Sequence, residues 1–206
     1  MRARVRSVWL AVLAAALGAG CAPLRQCAYE SGRDGWQQPE RVVEALAIEP
    51  GLVVADLGSG SGYFTSRLAR AVGPEGRVYA TDIDADINEL LRERLAEEGV
   101  ENVEIVLARP DDPLLPDGEI DLVFSSDTYH HMQDRPAYFR RLRADLAPDG
   151  RVAILEFDGS RGWFVRLFEH YTEKDQLVRE MAEAGYRVER EHDFLDRQAF
   201  VVFAPE

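Results

Sequence analysis

Residues 53–62 read VVADLGSGSG, in which a continuous apolar run ends in an acidic residue and is followed by three alternate glycines. An apolar run of this length is typical of a parallel strand that is buried on both faces of a sheet. The glycines, Gly58, Gly60 and Gly62, allow a sharp turn into a helix and let a ligand contact main-chain N–H groups. The stretch therefore predicts an open α/β sheet with a ligand at the carboxyl end of its first strand.

Strands and helices alternate after this point. Further strand-like runs occur at residues 77–81, 103–107, 120–125 and 152–157. Helical patterns separate them, including one over 138–146 before the fifth strand, and this order is typical of right-handed βαβ units. Two runs at 186–191 and 199–203 are joined by a short connection, which predicts an antiparallel hairpin. We therefore predict an α/β fold: a Rossmann-like, doubly wound, mostly parallel sheet of about seven strands with a C-terminal antiparallel hairpin.

An acidic residue, Asp82, follows the second strand, twenty residues after Gly62. A carboxylate at that spacing can accept hydrogen bonds from both ribose hydroxyls of an adenosine. The third glycine comes one residue earlier than in the dinucleotide pattern Gly-x-Gly-x-x-Gly, and Asp56 precedes the loop by two residues. Because a carboxylate repels pyrophosphate and attracts a sulfonium or ammonium, the loop favours an adenine nucleoside that carries a positive charge.

These motifs resemble those of the class I S-adenosylmethionine-dependent methyltransferases, and the resemblance runs from about residue 41 to residue 203. The glycine loop and Asp82 match the family's cofactor loop and ribose-binding acid. Residues 121–131 resemble its fourth motif, and residues 146–151 resemble the loop before its fifth strand. The resemblance implies S-adenosyl-L-methionine as the cofactor and methyl transfer to an unidentified small-molecule acceptor.

The resemblance also implies a set of cofactor contacts. They are Asp56, Gly58, Ser59, Gly60, Gly62, Tyr63, Asp82, Ile83 and Asp127. The chain departs from the family after the third strand, where Gly-Asp-Ala is common and this sequence has Ala-Arg-Pro at residues 108–110. Asp111 or Asp112 is then expected to meet the adenine amino group, and the alternative is a polar loop that faces water.

Three candidate catalytic residues, Tyr129, His130 and His131, follow the fourth strand, at the edge where ligands bind in open α/β sheets. Transfer from a sulfonium is an in-line displacement, so much of the rate comes from positioning. Either histidine can act as a base if the acceptor must lose a proton, because imidazole titrates near neutral pH. The alternative is that one histidine packs on the sheet while the other contacts the cofactor.

No metal site is predicted. A site built from Asp127, His130 and His131 would need neighbouring side chains to point the same way, and the sequence shows no further cluster of ligands.

The N-terminus has a composition of its own. Residues 1–20 combine three arginines with an apolar run that is too short to span a bilayer, which is the pattern of a secretory signal. Residues 17–21, Leu-Gly-Ala-Gly-Cys, resemble a bacterial lipoprotein signal in which Cys21 is lipidated. We therefore expect a signal-like segment (1–20), a tether (21–35) and a methyltransferase-like domain (36–206), with membrane attachment through Cys21. An ordinary signal and a cytoplasmic location are the alternatives.

The net charge of the chain and its expected location restrict the functions that it can have. The formal net charge of −13 argues against a nucleic-acid partner, because phosphate binding needs a basic surface. An exported enzyme would lack a donor that is made in the cytosol, so a membrane-tethered, non-catalytic nucleoside-cofactor-binding protein is the alternative function. Two flanking segments, 33–39 and 161–171, are expected to cover the site, although the aromatic residues of the second would equally suit packing on the core or on a membrane surface.

Overall fold

The computed structural model describes residues 32–168 and 170–206. The chain divides into two units, Met1–Gly35 and Trp36–Glu206. The strands are β1 (Val53–Leu57), β2 (Arg77–Asp82), β3 (Val103–Leu107), β4 (Ile120–Ser126), β5 (Leu146–Phe157), β6 (Tyr186–His192) and β7 (Gln198–Pro205). The helices are α1 (Arg33–Gln37), α2 (Pro39–Ala45), α3 (Thr65–Val72), α4 (Ala85–Glu98), α5 (Arg135–Leu142), α6 (Trp163–Phe168) and α7 (Lys174–Glu183).

The described strands form one sheet in the order β3-β2-β1-β4-β5-β7-β6. The first five are parallel, and β7 runs antiparallel to both β5 and β6. This arrangement confirms the predicted mostly parallel sheet with a C-terminal antiparallel hairpin. The strand order reverses between β1 and β4, and the carboxyl ends of strands at such a point form the usual ligand crevice.

Apolar side chains cover both faces of the sheet. In β1, Val54 belongs to the core on one face and its neighbour Ala55 to the core on the other. Successive strand residues point to opposite faces, so a continuous apolar run satisfies both cores at once. The helices supply the other half of each layer, with Leu68 of α3 on one side and Leu142 of α5 on the other. This double packing fixes the strand ends that carry the site.

One local prediction was wrong. The helix expected over 138–146 lies earlier, at Arg135–Leu142, with a proline in its first turn. Leu146 is already in β5, where it pairs with Ile120 of β4. The segment interpreted as a tether also ends in a helix, because α1 begins at Arg33.

The signal-like segment 1–20 and Cys21 lie outside the described residues. Within residues 32–168 and 170–206, none of the helices combines the length and apolarity that crossing a bilayer requires.

Candidate functional site

The glycine loop is held against the end of the second strand. The backbone N–H groups of Gly58 and Ser59 both donate to the carbonyl oxygen of Thr81, at 2.8 and 3.0 Å. Gly58 and Gly60 have positive φ angles of 76° and 54°, in the region that favours glycine. The loop therefore turns away from β1 and lies beside the carboxyl end of β2.

Asp82 closes this contact. Its Oδ2 accepts a hydrogen bond from the N–H of Gly60 at 3.0 Å, and its Oδ1 accepts one from the N–H of Asp84 at 3.0 Å. A carboxylate has about four acceptor positions, so each oxygen keeps one for a ligand hydroxyl. The loop and the acidic residue that the sequence paired by spacing are thus in direct contact.

A cavity of about 430 Å³ opens at this point, within the roughly 300–1,000 Å³ that is usual for small-molecule sites. Its lining comes from the ends of the parallel strands and the loops after them. The lining residues are Leu57, Gly58, Thr81, Asp82, Ile83, Ala108, Arg109, Pro110, Thr128, His131, Met132, Gln133 and Tyr138. A larger, more open hollow of about 1250 Å³ includes Val53 and Arg77, at the amino ends of the strands, and contains none of the predicted site residues.

Three features fit an adenine nucleoside. A side chain added at Gly60 would meet no atom within 4 Å, so the loop faces open space there. The hydroxyl of Ser59 is buried and has no hydrogen-bond partner among the described residues, as expected for a group that forms a hydrogen bond with a bound ligand. Ile83 lines the cavity and is 61% exposed, which offers an apolar surface to a flat base.

Other predicted cofactor contacts lie behind the loop. The carboxylate of Asp56 is buried and accepts a hydrogen bond from the hydroxyl of Thr65 at 2.6 Å. The ring of Tyr63 packs edge-on against Phe64 in the core. A side chain at Gly62 would come within 2.4 Å of Leu91, so this glycine allows α4 to approach closely. These three residues shape the loop and do not line the cavity.

The two acidic residues after β3 are also placed away from the cavity lining. Asp111 faces Arg141, with 3.7 Å between its Oδ2 and the guanidinium Nη1. Asp112 accepts a hydrogen bond from the N–H of Leu114 at 2.9 Å. Instead, the three residues that depart from the family pattern, at 108–110, contribute to the lining.

Asp127 joins a polar network. Its φ angle is 55°, and its carboxylate accepts hydrogen bonds from the side-chain amides of Gln37 and Gln198. Both glutamines are fully buried, and Gln37 also donates to the Oε1 of Gln198 at 3.1 Å. The network links α1 and β7 to the end of β4. Sequence reasoning missed both glutamines, because a lone glutamine carries no signal of burial.

Tyr129 does not reach the cavity, in contrast to the expected catalytic position. Its side chain is 1% exposed, and its hydroxyl donates to the Oε2 of Glu180 at 2.8 Å. Burial, and then the hydrogen bond and charge of Glu180, raise the pKa of the phenol. Arg135 holds the same carboxylate through two hydrogen bonds, at 2.7 and 2.9 Å. The tyrosine is therefore a core residue that ties α7 to the segment after β4.

The two adjacent histidines differ in their surroundings. His130 is anchored: its Nδ1 lies 2.8 Å from the Oε1 of Glu156, and its backbone N–H donates to the Oε2 at 3.2 Å. His131 lines the cavity, and partial burial lowers its pKa, helped by the charges of His130 and His170 and opposed by Glu156. His131 is thus the candidate base at the cavity. The structure also brings His170 to the pair, with ring centroids at 5.7 and 6.0 Å.

Comparison with known proteins gives a family match for part of the chain and solved structures with the same fold. Residues 54–150 match the family described as methyltransferase domain. A SAM-dependent methyltransferase from Aquifex aeolicus has the same fold, with a TM-score of 0.79 at 22% identity over 85% of this chain and 93% of that one. The family match thus covers the first four strands and the start of the fifth, and the solved structure shares the fold of the described domain.

Sequence relatives add a further point. The ubiquinone/menaquinone biosynthesis C-methyltransferase UbiE of Shewanella frigidimarina is 29% identical over 134 residues, which are 64% of this chain and 53% of the relative. The chain spans about half the length of the curated relatives it matches. The [4+2]-cyclase SpnF also shares the fold, with a TM-score of 0.70 at 14% identity over 82% of this chain and 80% of that one. The fold by itself therefore does not determine the reaction, which depends on the residues of the site.

Proposed function

We propose that this protein binds S-adenosyl-L-methionine in the 430 Å³ cavity and transfers its methyl group to a small-molecule acceptor. The observation that carries the proposal is the 3.0 Å hydrogen bond between the N–H of Gly60 and the Oδ2 of Asp82. It brings a loop open to a ligand and a carboxylate with free acceptor positions to one edge of the same cavity.

Each part of the lining has a role in this proposal. Asp82 accepts hydrogen bonds from the ribose hydroxyls, Ile83 packs against the adenine, and residues 108–110 border the base. The bound cofactor supplies an electrophilic methyl group, and the chain's own residues orient the acceptor and exclude water. His131, on the cavity wall after β4, can take up a proton from an acceptor that must lose one.

The lining favours an acceptor with an apolar body. Apart from the glycine loop and the residues that border the base, the wall includes Leu57, Met132 and Tyr138, with Gln133 as its long polar side chain. Such a surface binds a small, mostly apolar molecule and fixes its orientation through a few polar contacts. The UbiE relatives are named as C-methyltransferases of ubiquinone and menaquinone biosynthesis, which supports a small-molecule acceptor here.

Titration calorimetry with S-adenosylhomocysteine tests the proposal. Asp82→Ala removes a charged acceptor of two hydrogen bonds, each worth about 1.5–3 kcal/mol, and should weaken binding at least about 100-fold. Asp84→Asn is the matched control, because Asp84 caps α4 two residues away and asparagine is an equally good cap. No binding by the unmodified chain, or equal affinity in Asp82→Ala, would contradict the proposal.

We further propose that the chain is membrane-attached through a lipidated Cys21, which together with methyl transfer requires that the donor is supplied on the side of the membrane where the domain lies. The small residues before this cysteine and the apolar run before them support the proposal. Mass spectrometry of the native N-terminus tests it: an acylated Cys21 is the expected result, and an intact Met1 would overturn it.

A further inference from the structure

Three of the four histidines of the sequence gather at one place. His130, His131 and His170 each offer a ring nitrogen, and these nitrogens all lie within 4.8 Å of one another. The rings of His130 and His131 are 4.0 Å apart between centroids. Two of the three come from the turn after β4, and the third comes from the segment between α6 and α7, so tertiary packing creates the cluster.

A buried carboxylate stands behind this cluster. The side chain of Glu156 is fully buried, and its Oε1 lies 2.8 Å from the Nδ1 of His130. A carboxylate on one ring nitrogen holds the proton there, which leaves the other nitrogen, Nε2, as a lone-pair donor. Glu156 also accepts hydrogen bonds from the backbone N–H groups of His130 and Phe157, so the position of its carboxylate is fixed.

We propose that His130, His131 and His170 bind a divalent transition-metal ion of the zinc class at the rim of the cavity. Three imidazoles plus one open position are a common ligand set for such an ion. A carboxylate that orients one imidazole is a common feature of the shell around these sites. The cluster therefore has both the ligands and the outer support that zinc binding uses.

The geometry needs a small adjustment. Nitrogens around a tetrahedral zinc are separated by about 3.4 Å, since each lies about 2.0–2.1 Å from the ion. The ring nitrogens must therefore approach by an ångström or so. His130 is anchored by Glu156, whereas His131 and His170 are exposed at the surface and can rotate toward it.

The position of the site suggests its use. His131 belongs both to the cluster and to the lining of the cavity, so an ion held there would face the space assigned to the acceptor. This use rests on the proposed methyltransferase function: the open coordination position of the ion would bind an oxygen, nitrogen or sulfur atom of the acceptor. With the ion bound, His131 is a ligand and does not act as the base; the ion itself would lower the pKa of such a group and so favour its nucleophilic form.

Zinc chloride titration of the full chain, followed by calorimetry, tests the site. All proteins carry Cys21→Ser and Cys27→Ser, because thiolates also bind zinc. We expect one equivalent per chain, with affinity at least about 10-fold lower in His131→Ala and in His170→Ala. Glu156→Gln should weaken binding about 10- to 100-fold, as the loss of an outer-shell carboxylate does elsewhere.

The fourth histidine provides the control. His192 stacks on Phe200, at a ring-centroid distance of 4.6 Å, and is not one of the clustered histidines, so His192→Ala should bind zinc like the parent. Cobalt(II) is a second probe, since its visible spectrum reports tetrahedral coordination. Absence of stoichiometric binding, or parental affinity in either His131→Ala or His170→Ala, would overturn the three-histidine site. Titration with S-adenosylhomocysteine in the same proteins checks the fold and tests the proposed function separately.

Discussion

Replacing Asp145 by asparagine should stabilise the protein near neutral pH. Asp145 lies in the turn between α5 and β5 and is only 8% exposed. Burial disfavours its charged form, and the nearby carboxylates of Asp117 and Asp112 add to the effect, while Arg141 opposes it. Together they raise the pKa of Asp145 from 3.8 to about 6.

The size and sign of the effect follow from this difference. About two pKa units correspond to about 3 kcal/mol, at 1.36 kcal/mol per unit, which is an upper value because partial hydration screens the charge. Below pH 3.8, both the folded and the unfolded state are protonated, and Asp145 costs nothing. Between pH 3.8 and pH 6, only the unfolded state ionises, so the free energy of unfolding falls as the pH rises. Above pH 6, Asp145 is ionised in both states, and the free energy of unfolding stays lower by the full amount.

Chemical denaturation at pH 4 and pH 7 measures this difference. Asp145→Asn should raise the free energy of unfolding by about 2–3 kcal/mol at pH 7, and the gain should nearly vanish at pH 4. Asp149→Asn, an exposed site four residues away, controls for the loss of one negative charge. An equal gain at both pH values, or the same gain in the control, would refute the reasoning.

Two further predictions concern the site and its support. Gly58→Ala places a Cβ 2.2 Å from the Oγ1 of Thr128 at a φ of 76°, so it should lower stability and weaken S-adenosylhomocysteine binding. Gly99→Ala is the control, because Gly99 has a similar φ of 66° but open space around it, and it should lose less stability. Thermal unfolding and calorimetry measure the two effects, and an equal loss of stability in both variants would contradict the clash. Tyr129→Phe should lower the free energy of unfolding by about 1 kcal/mol, because it removes the hydrogen bond to Glu180. Cofactor affinity should stay unchanged. A loss of affinity would show that the hydroxyl contributes to the site.

The parallel part of the fold could be predicted from the sequence because its signals are local. Each parallel strand contains a short run rich in apolar residues, and a glycine or proline lies near most of the strand ends. The predicted β3, at 103–107, matches the observed strand, and the predictions at 77–81 and 120–125 each end one residue before the observed β2 and β4. The helix before β5 could not be placed as well, because Arg135–Leu142 has a proline in its first turn and the run to Leu146 looks helical in sequence. There, strand pairing with β4 overrides the local pattern.

The site was predicted only where spacing along the chain carries the information. Gly60 and Asp82 belong to one βαβ unit, and their contact follows from its geometry. The burial of Tyr129 depends on Glu180, fifty-one residues later, and the histidine cluster depends on His170, which comes from beyond β5. Such long-range contacts leave no mark in the spacing of one sequence.

The position of β7 inside the sheet has a consequence for biosynthesis. β6 is made before β7, yet among the described strands it pairs with β7 alone, and β7 pairs with β5 on its other side. On the ribosome, β1 to β5 can assemble as soon as they emerge, whereas β6 must wait for the strand translated after it. Gln198, the first residue of β7, also completes the hydrogen bonds of Asp127. A nascent chain therefore acquires the β6–β7 edge of the sheet and the hydrogen bond between Gln198 and Asp127 in the same late step.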